Sequence, residues 1–234
     1  MNNIELNSSQ SVRDYNKGIS LAARSGRLLE ARRIFDQIKV PDIYSYNLMI
    51  KACNKGGYPH LAFDVWNWLN DSSEHPDEYT FNSLLHSCAL TEDYDRANNL
   101  LRLMKENGLA PDKFTGNNWV DVAVRTGHLV EAKEFFLEAG LKVKIRKRVY
   151  RGEEMDAMDC HGFSYGAACA GIGIYLEKRA EVKKFQVITG QGMHCDHLFG
   201  MRKFVKAFLK ENFPYCQMKT LPCNPGCMIV TVLR

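Results

Sequence analysis

The sequence predicts a chain in two parts, an N-terminal helical-hairpin solenoid followed by a small α/β domain. Three observations carry this expectation. A phrase built on an alanine recurs four times at a spacing of about 35 residues. Proline–aspartate pairs close three of the resulting units. Beyond residue 140 the period gives way to short β-rich runs around a glycine loop.

Residues 1–11 read as a polar tail, with Glu5 and no Lys or Arg. The phrases "RSGRLLEARRIF", "NKGGYPHLAFDVW", "ALTEDYDRANNLL" and "VRTGHLVEAKEFF" then place Ala31, Ala62, Ala97 and Ala132 in register. An asparagine precedes each: Asn16, Asn47, Asn82 and Asn117, separated by 31, 35 and 35 residues. Units 12–42, 43–77 and 78–112 end on Pro41-Asp42, Pro76-Asp77 and Pro111-Asp112, and a degenerate fourth unit, 113–147, ends on Arg146-Lys147. Two residues before each asparagine stands a polar residue expected to cap the first helix: Asp14, Ser45, Thr80 and Thr115. Apolar residues follow at helical spacing, as in Tyr46, Met49, Ile50 and Phe81, Leu84, Leu85. A single hairpin of this kind cannot bury its apolar face, so the units must stack.

Between Lys142 and Arg151 six of ten residues are basic. This stretch reads as the frayed end of the last repeat plus a basic linker, 148–155, either a solvated connector or a nucleic-acid contact. From residue 156 the pattern is that of a compact α/β domain, 156–234. "AMDCH" is a short strand, Ser164 caps a helix from Tyr165 to Ala180, and "FQVIT" (Phe185 to Thr189) is a strand of parallel type. Gly190-Gln191-Gly192 leads to a helix from Leu198 to Glu211. "QMKTL" and "MIVTVL" are further strands, with a turn at Asn224-Pro225-Gly226.

Composition narrows the classes. The 234 residues are 45% hydrophobic and 25% charged, which excludes low complexity. No apolar run reaches the roughly 18–20 residues of a membrane span, and the N-terminus has no secretory signal. Eight cysteines then read as reduced thiols. Cys195, Cys216, Cys223 and Cys227 contain one Cys-x3-Cys spacing and no paired knuckle, so no metal site is expected. Cys160 and Cys169 read as small buried residues. A net charge of +4 permits an acidic partner without demanding one.

The unit "IYSYNLMIKACNKGGYPHLAFDVWNWLNDSSEHPD" resembles a pentatricopeptide repeat, a family of RNA-binding solenoids, and the resemblance covers residues 12–147. It implies that each unit reads one base through its asparagine and its last residue: Asn16/Asp42, Asn47/Asp77 and Asn82/Asp112, with Asn117 opening a fourth site. Within that family Asn with Asp implies uracil over cytosine. A carboxamide offers a donor and an acceptor that complement uracil's N3–H and carbonyl oxygens. Arg13, Tyr44, Tyr79 and Phe114 match the base-sandwiching position, where aromatic and guanidinium groups stack well. The implied partner is uridine-rich single-stranded RNA. Three or four bases define no unique transcript, so specificity is loose or an additional RNA-binding protein supplies the rest. The other reading is a protein-binding solenoid, in which these asparagines serve local hydrogen bonding.

"MDCHGFSYGAA" and "VITGQGMHCD" resemble the two signatures of the small MutS-related (Smr) domain, a nicking-nuclease and nucleic-acid-binding fold, over residues 156–234. Asp159 and His161, two apart at a strand's end, are the candidate catalytic residues. Thr189, Gly190, Gln191, Gly192 and His194 form the candidate phosphate loop at the same sheet edge. His161 is a general acid or base near neutral pH. Asp159 either orients it or holds a divalent ion such as Mg²⁺. Gln191 stands where relatives of this fused kind usually carry a basic residue, which puts an RNA endonuclease beside a non-catalytic RNA-binding adaptor as the expected functions. The compartment is an organelle matrix by resemblance or, on the bare N-terminus, the cytoplasm; no membrane association is expected.

Overall fold

The computed structural model describes residues 11–189, 200–221 and 224–233. The chain divides into two compact units after Pro111. The first holds α1 (Val12–Arg24), α2 (Leu28–Phe35), α3 (Ile43–Lys55), a 3-10 turn (Pro59–Leu61), α4 (Ala62–Asn70), α5 (Glu78–Thr91) and α6 (Tyr94–Glu106). These are consecutive hairpins: α1 packs on α2 and α3, and α3 in turn on α4 and α5. The register alanines Ala31, Ala62 and Ala97 are wholly buried, so the second helix of each hairpin lies close against the first. Ile19, Met49, Ile50, Phe81, Leu84 and Leu85 fill the space between. The left-handed Gly26 (φ 66) turns α1 into α2, a conformation that an L side chain adopts at a cost.

The helix caps differ from expectation. The aspartate that closes one unit caps the next: Asp42, Asp77 and Asp112 accept the N–H groups of Ser45, Thr80 and Thr115, each at 2.8 Å. Ser45, Thr80 and Thr115 thus sit at the third helical position, and Thr80 and Thr115 complete capping boxes. In α1 the first residue outside the helix is Ser11, which donates to Asp14 (2.7 Å). Asparagine-relative counting placed the caps one turn too late.

The second unit holds α7 (Lys113–Arg125), α8 (Leu129–Glu138), β1 (Lys144–Tyr150), β2 (Glu153–Asp159), α9 (Tyr165–Lys178), β3 (Lys184–Ile188), α10 (Gly200–Asn212), β4 (Cys216–Leu221) and β5 (Asn224–Val232). The sheet order is β1-β2-β3-β5-β4, with β2 and β3 parallel and the other neighbours antiparallel. Ile172 and Leu176 of α9 and Val205 and Leu209 of α10 pack on Met158, Phe185, Val187 and Val230 from one sheet face. On the other face Leu221, Cys227 and Ile229, with Tyr150 and Ile188 against them, form a small cluster drawn from the strands alone.

Three boundaries are corrected. The segment read as a frayed end and linker is a strand. Lys144 to Tyr150 pair residue by residue with Asp159 to Glu153, and Arg151 (φ 53) and Gly152 (φ 79) make the turn between them. Asn224, expected in a turn, instead belongs to β5 and pairs with Leu221. The fourth hairpin, α7 and α8, groups with the α/β domain because both helices pack on α9. The Gly166 N–H donates to the buried Asp121 carboxylate (2.6 Å), and a Cβ on Gly166 would lie 2.6 Å from the Asp121 Cα. That neighbour is backbone and cannot turn away. Gly166→Ala is therefore expected to cost about 1–3 kcal/mol through forced separation of the helices, read as a lower urea midpoint; a wild-type midpoint would show that α9 does not need this approach.

Candidate nucleic-acid interface and phosphodiester site

Arg13, Tyr44, Tyr79 and Phe114 occupy the second position of α1, α3, α5 and α7, and each asparagine follows three residues later on the same helix face. The outer members are exposed, Tyr44 at 56%, Tyr79 at 51% and Phe114 at 73%, whereas Asn16 and Asn47 are each only 3% exposed. Half-burial, then the neighbouring Tyr44 and Asp77, push the Tyr79 phenol pKa up.

Beneath them the asparagines join consecutive units. Asn16 Nδ2 donates to Asp42 Oδ1 (3.0 Å), and the Ser45 hydroxyl lies 2.8 Å from Asn16 Oδ1 and 2.7 Å from Asp42 Oδ1. One repeat later Asn47 Nδ2 donates to Asp77 Oδ1 (3.1 Å), and the Thr80 hydroxyl lies 2.8 Å from both Asn47 Oδ1 and Asp77 Oδ1. In these contacts the Asn16 carboxamide uses one N–H and one lone pair of its oxygen, which leaves a second of each; Asn47 Nδ2 also reaches Asp77 Oδ2 (3.3 Å). Burial raises the Asp42 carboxyl pKa, but the Ser45 hydroxyl and N–H and the Asn16 amide outweigh it, so Asp42 is held below the usual carboxylate range. Arg13, Asn16, Asp42 and Tyr44 line a single cavity of about 640 Å³, together with Lys17 and Arg24. Both expected base contacts of the first unit and both expected stacking groups thus meet at one opening.

Asn82 lies half-buried in α5, and Asp112 caps α7 in the other compact unit. Asn117 has a different setting. Its Oδ1 accepts the Ser164 N–H (2.9 Å) and its backbone carbonyl accepts the Ser164 hydroxyl (2.9 Å), so it anchors the start of α9 and has no closing aspartate. Besides their part in the helix starts, Ser45 and Thr80 are the hydroxyl partners of Asn16 and Asn47, a role whose sequence signal is a hydroxyl three residues after each Pro-Asp.

In the second unit Asp159 ends β2 beside Ile188, which ends β3. The Cys160 N–H extends the pairing by one bond to Ile188 O (2.9 Å). The chain then turns at Gly162 (φ 85), and His161 swings outward. Its ring Nδ1 is hydrogen-bonded to Asp159 Oδ1, and its backbone N–H points to the same oxygen (3.4 Å). The His161 side chain is 70% exposed and that of Asp159 13%. Thr189 leaves the same edge, its N–H donating to Gly226 O (2.8 Å). Gly190, Gln191, Gly192 and His194 lie outside the described residues, as do Cys195 and Cys223. Cys160, Cys169, Cys216 and Cys227 are buried, and burial pushes the Cys160 thiol up to about 12. Among the described residues no three His, Cys, Asp or Glu side chains gather to hold a metal ion.

Residues 41–90 match the PPR repeat family, and residues 69–123 match the pentatricopeptide repeat domain. Residues 41–123 thus carry pentatricopeptide repeats. The mitochondrial pentatricopeptide repeat-containing protein At2g22410 of Arabidopsis thaliana is 30% identical over 122 residues, 52% of this chain and 18% of that protein. At1g14470, a pentatricopeptide repeat-containing protein of the same plant, is 34% identical over 135 residues, 58% of this chain and 18% of the relative. The chain thus spans less than a fifth of either relative's length. Among solved structures, the pentatricopeptide repeat protein PPR10 in complex with an 18-nucleotide psaJ RNA element aligns with a TM-score of 0.53 at 20% identity, covering 86% of this chain and 25% of that one. The PPR domain of Arabidopsis thaliana protein-only RNase P 1, in complex with tRNA, aligns with a TM-score of 0.51 at 15% identity, covering 83% and 85%. At these identities the likeness is one of fold.

Proposed function

We propose that the chain binds single-stranded RNA through its pentatricopeptide repeats, with uridine preferred, and that its C-terminal domain is of the Smr type and cleaves the bound strand. The observation that carries the first part is the repeated arrangement of a buried Asn–Asp–hydroxyl cluster under an exposed aromatic ring. A base stacked on Tyr44 or Tyr79 meets the spare donor and acceptor of the carboxamide at its edge. The RNA held by the two repeat proteins of similar fold supports the same reading.

The test is a base-scanned oligonucleotide set. Asn47→Thr with Asp77→Asn keeps a capping side chain for α5 and, as the family resemblance implies, moves the preferred base from uracil toward adenine. The discrimination expected is about 1–3 kcal/mol, as for other good base-edge contacts. An unchanged preference would remove the base-reading assignment. Tyr79→Ala should weaken binding to every base alike by roughly 1–3 kcal/mol, since stacking tolerates any base.

For cleavage, the contact between Asp159 Oδ1 and His161 Nδ1 directs Nε2 away from the carboxylate. In the proposed step Nε2 takes the proton of the attacking hydroxyl, a ribose 2′-OH or water. The new O–P bond forms as the P–O bond to the leaving strand breaks; Asp159 balances the imidazolium, which then returns the proton to the leaving oxygen. Among the described residues at this edge, Asp159 and His161 are the side chains that could hold a divalent ion, and these two engage each other.

A further inference from the structure

The geometry points to β1 as a phosphate-binding rail, on which Lys144, Arg146 and Arg148 hold the RNA backbone along the sheet face that ends at Asp159. The inference rests on the RNA-binding reading above and names a surface which that reading does not use.

Alternation sorts the cations of β1 onto two faces. Lys147 turns to the helix-covered face, where its ammonium meets Asp156 Oδ1 (2.9 Å) beside Tyr175 and Arg179 of α9. Lys144, Arg146 and Arg148 therefore share the opposite face. Their register partners are Asp159, Ala157 and Met155, and residues directly opposite in a sheet lie on the same side. All three are exposed, and among the described residues none forms an ion pair with an acidic side chain. Lys219 of β4, the register partner of Ile229, brings another exposed cation to this face from the far edge.

Three cations without an ion pair among the described residues thus stand about 6–7 Å apart in a row, and the last of them lies directly opposite Asp159. Protection of an edge strand against unwanted pairing would also favour charge on β1, but it does not require the unpaired charges to share one face with the Asp159–His161 pair. A row of exposed, fixed positive charge along β1 suits an extended polyanion, and the phosphodiester backbone of a single strand has that form. Such contacts position a strand without reading its sequence.

The test compares the full chain with Lys144→Gln/Arg146→Gln/Arg148→Gln, using a uridine-rich 20-nucleotide RNA over a range of salt concentrations. Three lost phosphate contacts should make the slope of log K against log salt shallower by about 2, while the base preference and the melting temperature stay at wild-type values. Arg146→Lys/Arg148→Lys should retain the wild-type slope, since charge alone is needed. Wild-type binding with an unchanged slope in the triple glutamine variant would overturn the rail and leave base reading intact. Failure of the wild-type chain to bind RNA at all would overturn both. Unchanged RNA binding with lost affinity for polyglutamate would assign β1 to an acidic protein surface and equally overturn the proposal.

Discussion

His161→Ala is expected to lower single-turnover cleavage of a bound RNA by a factor of about 100 or more, the low end for a positioned acid–base group. His161 is 70% exposed and contributes no core packing, so the melting temperature should hold and the loss should fall on the chemical step. RNA affinity should change little, because the repeats and the β1 cations, not the His161 ring, are the proposed binding groups. Asp159→Asn should act in the same direction, since an amide in that place can no longer balance an imidazolium. Rescue by added imidazole separates this role from a structural one: it should restore part of the rate to His161→Ala and leave the wild-type rate unchanged. Wild-type-like cleavage by a folded His161→Ala protein would sink the mechanism. No cleavage by the wild-type chain, with or without added Mg²⁺, would favour the adaptor, and Gln191 would be the first position to change to a basic residue.

The parts of the fold that were legible are those in which one local rule repeats. The alanine register, the Pro-Asp closures and the asparagine spacing recur along the chain, and each marks a real hairpin. β1 was illegible for a physical reason. Both of its faces are exposed, so the alternation that marks a half-buried strand is overwritten by cations, and its apolar Ile145 and Val149 share the face of Lys147. The placement of the fourth hairpin was hidden because its phrase is preserved while its packing partner has changed. What decides that partner is the absence of a side chain at Gly166 and Gly171, where added Cβ atoms would meet Asp121, and Val143 and Phe136. Asp159 and His161 were legible as a pair at a strand's end, but the direct Nδ1–Oδ1 contact depends on the chain turning at Gly162, which no spacing rule reports. The contacts of Asn16 with Ser45 and of Asn47 with Thr80, which join consecutive units, were likewise illegible, because they link residues 29 and 33 positions apart.

Asp156→Ala is expected to lower stability by about 2–4 kcal/mol and to loosen β1. Asp156 lies mid-strand in β2 with its side chain 6% exposed; Oδ1 accepts from Lys147 (2.9 Å), and Oδ2 from the Tyr175 hydroxyl (2.7 Å) and Arg179 (2.9 Å). The Lys147 ammonium is the foremost cause that holds its carboxyl below the usual range, against burial, with Tyr175 and Arg179 assisting. Removing the carboxylate strands the Tyr175 hydroxyl on a ring that is 5% exposed. Lys147 and Arg179, at 63% and 46% exposure, return to water, which keeps the cost below that of a fully buried pair. A depressed folded-state pKa stabilises the fold above the unfolded value of about 3.9, and that contribution is lost as pH falls through the folded value. The stability gap between wild type and Asp156→Ala should therefore be full at pH 7 and shrink on acidification below about pH 4. Urea midpoints at pH 7 and pH 3 measure it, and a gap of equal size at both would show that the charge is not what matters. Because Lys147 is the β1 residue tied by this carboxylate to the helix-covered face, β1 amides should exchange faster in the variant at pH 7. The salt dependence of RNA binding should then weaken with Lys144, Arg146 and Arg148 all still present.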